Sequence, residues 1–418
     1  PWWLKYADCI WMQGADYAYA EDVPSINERD KAITYKDAVL WDDFQKQHLL
    51  FPMSSLMTHG IIQGHLNFLG GENESLDSFS NEVMMYFGRG VMMWELYVSP
   101  DVLSEDEWNA IASSIKWAKA NHDVLEHTKM ILGDPLKREI YGYVHLTKEK
   151  GILLLRNPDV AAKEAAIKLT SDLGDIAPSR EYFVKIIYPY TMILPEPVRM
   201  GQTVSMTMDG YEVLAAEMIP SDKIDKNLPL GVRYSIENGH LIVYGALGRK
   251  EVLKSIGKKK LADVQFGNKA DNIKYREETL LKSNGTEYVS HVTINLPQQY
   301  KNATFGFLLE SARELQDTLK PEFRINVNGV NQNLMVEEGQ GKWFWVTAAL
   351  RSGKSNIEYS TTFKEDGKGK ISSWIISDIE LAGQEIKSLP YNDREILPAK
   401  PYPANIQRKI IPIQVHEF

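Results

Sequence analysis

From about residue 138 onward, apolar residues recur at every second position. That change of period constrains the fold more than any other feature of the chain. A period of two belongs to strands with two unlike faces, whereas a period near 3.6 belongs to helices. Before residue 138 short apolar runs alternate with helical stretches. The chain of 418 residues is therefore expected to be α/β first and all-β afterwards. At roughly 150 residues per domain, its length suggests two or three domains.

In the first part, Asp8–Met12, Leu49–Met53 and Gly90–Tyr97 are continuous apolar runs, as expected of strands buried on both faces in a parallel sheet. Helices are expected between them over Tyr35–Gln47 and over Asp77–Phe87, where Phe79, Val83 and Phe87 stand four apart. Ser104-Glu105-Asp106-Glu107 is a capping box: the Ser hydroxyl accepts the third amide and the Glu reaches back. Trp108, Ile111, Ile115 and Ala118 then form one apolar stripe. Strand, loop and helix in repetition is the rhythm of a (β/α) barrel, which places its chemistry just beyond the strands. Residues 1–135 are read as the C-terminal half of a (β/α)8 barrel.

Residues 136–222 read as an antiparallel β-sandwich, with strands over Tyr141–Leu146, Gly151–Leu155, Tyr182–Tyr188, Thr203–Met208 and Tyr211–Met218. Residues 223–261 are a linker or hairpin region whose lysine-rich stretch, Arg249 to Lys260, suits a solvated linker or helix face. Residues 262–387 read as a second, jelly-roll-like β-sandwich, with a turn at Asn328-Gly329. This region is either a carbohydrate-binding module or plain core at Trp343, Phe344 and Trp345, where alternation puts the two Trp on one face. The proline-rich tail, residues 388–418, is expected to be extended over an existing surface.

The net charge of -9 argues against a nucleic-acid partner, because phosphate binding needs a positive surface. One cysteine, Cys9, excludes a disulfide framework and a cysteine-based zinc site. His122, His127 and His145 lack metal-ligand spacing, so neither a metal nor a cofactor is expected. No apolar run approaches the roughly 20 residues of a membrane helix. Ten Trp, 20 Tyr and 13 Phe are compatible with carbohydrate binding, since sugar C–H faces stack on aromatic rings, and equally with large core side chains. The opening Pro1-Trp2-Trp3-Leu4 has the look of an element's interior, so the chain is expected to be the C-terminal part of something longer or a processed product.

Asp16 is the leading candidate for chemistry. It follows a buried strand behind the small residues Gly14 and Ala15. From spacing alone it is either a carboxyl facing a barrel mouth or the N-cap of the next helix. The string Leu4 to Asp16, with Trp11 ahead of the Asp, resembles the sixth barrel strand of the clan D glycoside hydrolases, families 27 and 36 (α-galactosidases and α-N-acetylgalactosaminidases). Phe51-Pro52-Met53-Ser54-Ser55, leading to His59, is similar to the seventh strand of family 36. Phe79 through Gly88-Arg89-Gly90 to Glu95-Leu96 and Ser104-Glu105 is similar to the eighth strand and last barrel helix. Met12 stands where family 27 has an Arg.

The resemblance implies a retaining exo-α-glycosidase acting on α-galactoside-like glycan ends, with an oligo- or polysaccharide as substrate. Asp16 would be the general acid/base. The nucleophile Asp would lie on an upstream strand outside this sequence, so the partner implied is the N-terminal half of the same barrel. Trp11, Met12, Tyr17 and His59 would contact the sugar. His59 is otherwise a structural histidine under a loop, Tyr17 and Tyr19 are as well read as surface residues, and Trp11, Trp94 and Glu95 are read as barrel packing and support for the site. A periplasmic or extracellular, bacterial location is implied. The alternative is a non-catalytic or degenerate relative that binds glycans through its β domains.

Overall fold

The computed structural model describes residues 5–11, 22–71, 74–278, 286–365, 367–386 and 395–417. Strands outweigh helices, and most sheets are antiparallel. Among the described residues no helix is long and apolar enough to cross a membrane.

Three helices dominate the first part: α1 (Glu28–Trp41), α2 (Leu76–Gly88) and α3 (Glu105–Ala120). Helix α3 begins as its capping box requires. Ser104 Oγ accepts from the Glu107 amide at 3.2 Å, and the Glu107 carboxylate accepts from the Ser104 amide at 2.7 Å. Helix α1 begins at Glu28, well before the expected Tyr35, because Asn27 caps it by accepting the Asp30 amide at 2.9 Å.

Helix α1 has no apolar stripe and is nevertheless buried: Arg29, Asp30, Lys31, Lys36 and Asp37 are all interior. Each meets an opposite charge, which is the condition for burying it. Arg29 and Lys36 converge on Glu82 of α2, Arg156 pairs with Asp30, and Arg89 Nε donates to Asp37 at 2.5 Å. Asp37 also accepts from the Tyr141 and Tyr143 hydroxyls at 2.7 and 2.6 Å. Lys31 donates to the Glu338 carbonyl at 3.0 Å. One helix thus ties α2, the large sheet and the second pair of sheets together.

The expected strand Leu49–Met53 is not one. Leu50 is almost fully exposed, Pro52 lacks the amide a ladder needs, and Met53–Ser55 make a 3-10 turn. The pairing strand is the short Leu56–Met57.

The largest sheet has nine strands. Its middle is Tyr182–Tyr188, Val213–Pro220, Gly151–Arg156 and Tyr141–Leu146, with Thr128–Leu132 at one edge. One face, through Leu153, Leu155, Val184 and Leu214, packs on a two-stranded ribbon of Lys163–Lys168 and Thr203–Met208. The other face, through Tyr141, Tyr143, Leu154 and Ala215, packs on α2 and α3 by way of Phe79, Val83, Ile111 and Trp117. Burial on both faces explains the uninterrupted apolar run at Gly151–Leu155. Within residues 223–261, Arg233–Glu237 and His240–Gly245 form a hairpin that extends this sheet. The lysine-rich stretch belongs to a hairpin, Lys250–Lys254 with Lys260–Gln265, whose lysines are solvent-facing.

Two further five-stranded antiparallel sheets enclose Val292, Ile294, Ile325 and Ile357 from one side and Phe305, Phe307, Phe344 and Val346 from the other. The Asn328-Gly329 turn is present, with both φ angles positive at 53° and 83°. Trp343 and Trp345 lie on the outer face of their strand, yet both are buried, packed with Trp374 against Val160 and Tyr211. The indoles are an internal contact between sheet layers, so of the two readings the core one holds for these rings. The tail is also more than a wrap. Ile406–Glu417 is a twelve-residue strand paired with Gly369–Glu380, and Pro412 sits next to the register shift that accommodates it.

Candidate functional site

Short parallel pairings organise the first part. Ile10–Trp11 runs parallel to Leu56–Met57, Met57 bridges to Met93 in parallel, and Ile61–Gln63 runs parallel to Leu96–Val98. Parallel neighbours carry their chain-forward ends to the same side, so residues that follow them in sequence gather there. Trp11 ends the first of these strands, His59 lies between Leu56–Met57 and Ile61–Gly64, and Tyr97 lies within Leu96–Val98 opposite Ile62, and the three rings come together. His59 lies at the centre of a ring stack, its centroid 5.9 Å from Trp11 and 4.8 Å from Tyr97, with interplanar angles of 23° and 10°. The imidazole is 4% exposed, whereas Trp11 is 51% and Tyr97 41% exposed. The buried ring orders two half-open ones.

The approach of these segments is close. A Cβ on Gly60 would lie 1.8 Å from the Glu95 carbonyl oxygen, so only glycine lets the chain after His59 lie against the segment bearing Glu95 and Tyr97. The Tyr97 hydroxyl donates to Glu95 Oε1 at 2.6 Å, and the Glu95 amide donates to the Tyr86 hydroxyl at 2.7 Å. Burial raises the pKa of Tyr86, which keeps that hydroxyl neutral. A carboxylate is therefore fixed at the rim of the stack.

Of the residues singled out in the sequence, Trp11 and His59 are brought together, and His59 is neither isolated under a loop nor open to solvent. Asp16, Met12, Tyr17 and Tyr19 lie outside the described residues. Glu95 holds Tyr97 in place, and Tyr97 itself is not singled out in the sequence. The signal available was position: both end the third apolar run, where a barrel strand would present its chemistry. Trp94 packs as expected, its Nε1 donating to the Val91 carbonyl at 2.7 Å and its ring edge-on to Phe87. His145 is structural, its two ring nitrogens 3.1 and 3.0 Å from the Leu125 and Gly88 carbonyl oxygens. Among the described residues no group of three or more His, Cys, Asp or Glu could hold a metal ion.

The stack offers two half-exposed aromatic edges beside a carboxylate and a histidine. Such a surface suits a ligand with apolar C–H patches and hydroxyl groups. No family model and no curated protein matches the chain. Among solved structures it is similar to α-galactosidase I from Mortierella vinacea, at 11% identity over 45% of this chain and 44% of that one, with a TM-score of 0.29. It is also similar to BuGH86 in complex with neoagarooctaose, at 10% identity over 88% and 49% of the two chains, TM-score 0.22. A third is BpGH86A, a β-porphyranase of glycoside hydrolase family 86 from the human gut bacterium Bacteroides plebeius, at 10% identity over 88% and 55%, TM-score 0.20. The chain spans about half the length of these structures. Scores this low assign neither fold nor chemistry.

Proposed function

We propose that the chain carries the acid/base side of a glycoside-hydrolysing site, of the retaining exo-α-glycosidase type, acting on α-galactoside-like glycan ends. The observation that carries the reading is the Trp11–His59–Tyr97 stack, made by residues on or next to parallel-paired strands, in the same strings that resemble clan D barrel strands. Trp11 and Tyr97 would take the C–H face of the sugar. Glu95 would accept from a hydroxyl or hold Tyr97 in place.

Cleavage needs two carboxyl groups, one protonating the leaving oxygen and one attacking the anomeric carbon. Asp16, which follows Trp11 in the chain, is assigned the first task. It gives its proton to the departing oxygen and then takes one from water as the glycosyl-enzyme is hydrolysed. The resemblance puts the nucleophile Asp on a barrel strand that comes before the one bearing Asp16. Turnover therefore needs both carboxyl groups in one protein.

In that protein, Asp16→Asn should abolish hydrolysis of an α-galactoside with a sugar leaving group. It should spare much of the attack on a p-nitrophenyl α-galactoside, whose phenolate leaves with little acid help. Full activity of the variant on the sugar-leaving substrate would end the acid/base assignment. An unchanged kcat/KM for the α-galactoside in Trp11→Ala would end the platform assignment.

A further inference from the structure

A second site lies away from the ring stack. Where the starts of α1 and α2, the large sheet and the second pair of sheets meet, they surround a cavity of about 300 Å3. That is the lower end of the volumes small-molecule sites have, roughly 300–1,000 Å3. Carboxylates outnumber cationic side chains on its wall. Most of these charges are already matched: Lys409 pairs with Asp209 at 2.8 Å, Arg408 lies 3.5 Å from Asp77, and the Tyr402 hydroxyl donates to Asp77 at 2.7 Å.

Two groups on this wall make no direct ion pair among the described residues. Among the described residues Arg233 makes no ion pair; its guanidinium lies 3.6 Å from the Tyr190 ring centroid and donates to the Ile406 carbonyl at 3.3 Å. Glu212 accepts the Asp209 amide at 2.8 Å and meets no cation within ion-pair distance among the described residues. Burial, then the neighbouring Asp209, lifts the Glu212 carboxyl to about 7. A half-buried cation and a half-buried carboxyl attract each other across one cavity without touching, so both keep hydrogen-bonding capacity towards it.

The charge pattern selects the ligand. An anion would meet the carboxylate excess, and a cation would meet Arg233. A neutral molecule with many hydroxyls meets neither cost. Its O–H groups donate to the acidic wall and accept from the guanidinium, and its C–H groups rest against Tyr190. We propose that this cavity binds a saccharide unit, held by hydrogen bonds from Arg233 and to Glu212 and Asp209, as a site separate from the ring stack. Its ligand class is argued from its own wall, so it stands whether or not the stack is catalytic.

The test is saturation-transfer NMR on the full chain with galactose, glucose and lactose, and with inorganic phosphate and spermidine as charged probes. A sugar should bind in preference to both charged probes. Arg233→Gln and Glu212→Gln should each weaken it about 10-fold or more, as loss of a charged hydrogen bond does. Trp11→Ala should leave this binding unchanged. Met335→Trp, from an exposed position on the cavity wall, should block binding with an unaltered circular dichroism spectrum, which covers the case in which the Arg233 variant fails to fold. The proposal is overturned if no sugar binds, if phosphate or spermidine binds instead, or if sugar binding survives Arg233→Gln and Met335→Trp but is lost in Trp11→Ala. That last result would locate the sugar at the ring stack.

Discussion

Asp37 offers the sharpest test of how this fold is held together. Its carboxylate is fully buried and accepts three hydrogen bonds, from Arg89 Nε and from the Tyr141 and Tyr143 hydroxyls. Among the described residues the Nη1 and Nη2 atoms of Arg89 have no partner, so the guanidinium depends on Asp37 alone. Asp37→Ala would leave that cation unneutralised in the interior, a loss of about 3–5 kcal/mol. Two stranded tyrosine hydroxyls would add to it at about 1–3 kcal/mol each. The whole approaches the roughly 5–15 kcal/mol that stabilises an ordinary domain, so the variant should be largely unfolded at 25 °C. Asp37→Leu combined with Arg89→Met removes both charges and should recover most of the stability, because a buried ion pair is little better than apolar packing of similar volume. Urea denaturation followed by tryptophan fluorescence would measure both variants. A loss below about 1 kcal/mol in Asp37→Ala, or no recovery in the double variant, would refute the view that the network is a matched set of charges rather than a source of net stability.

Two other outcomes follow from single residues. Burial pulls His145 down to about 4 from its ordinary 6.5. The unfolded chain therefore binds the extra proton first, and stability is lost as pH falls from about 6.5 towards 4, by up to about 3 kcal/mol. Denaturation curves across that range should fall for the native chain and fall less for His145→Gln; equal slopes would exclude the histidine. Gly60→Ala would push a methyl to 1.8 Å from the Glu95 carbonyl oxygen. It should cost several kcal/mol of the kind that forced overpacking brings, seen as a lowered thermal midpoint, and an unchanged midpoint would mean the two segments can part freely.

How much was legible in the sequence depended on what held each element. Strands whose alternation or turns were plain, such as Tyr182–Tyr188 and Thr203–Met208, lie where the period puts them. The start of α3 was written in its capping box. Helix α1 was misplaced because a stripe search looks for apolar residues, and this helix is buried through Arg29, Asp30, Lys36 and Asp37, each matched by a residue distant in sequence. Leu49–Met53 was misread because an apolar run need not be buried, and Pro52 was the sign against it. At the site, Trp11 and His59 could be named from the strings around them. Their meeting with Tyr97 could not, since ring contacts across three segments leave no local pattern.

The strand Trp343–Ala349 has a consequence for dissection. Phe344 and Val346 belong to the interior between two sheets, while Trp343 and Trp345 look outward and are covered by Val160 and Tyr211 from the neighbouring layer, with Ile26, Ala161 and Lys31 beside them. Cut free of that layer, residues 262–417 would present three adjoining indoles to water, an invitation to self-association. Any attempt to produce this segment by itself must therefore bring its neighbour along or repaint that surface.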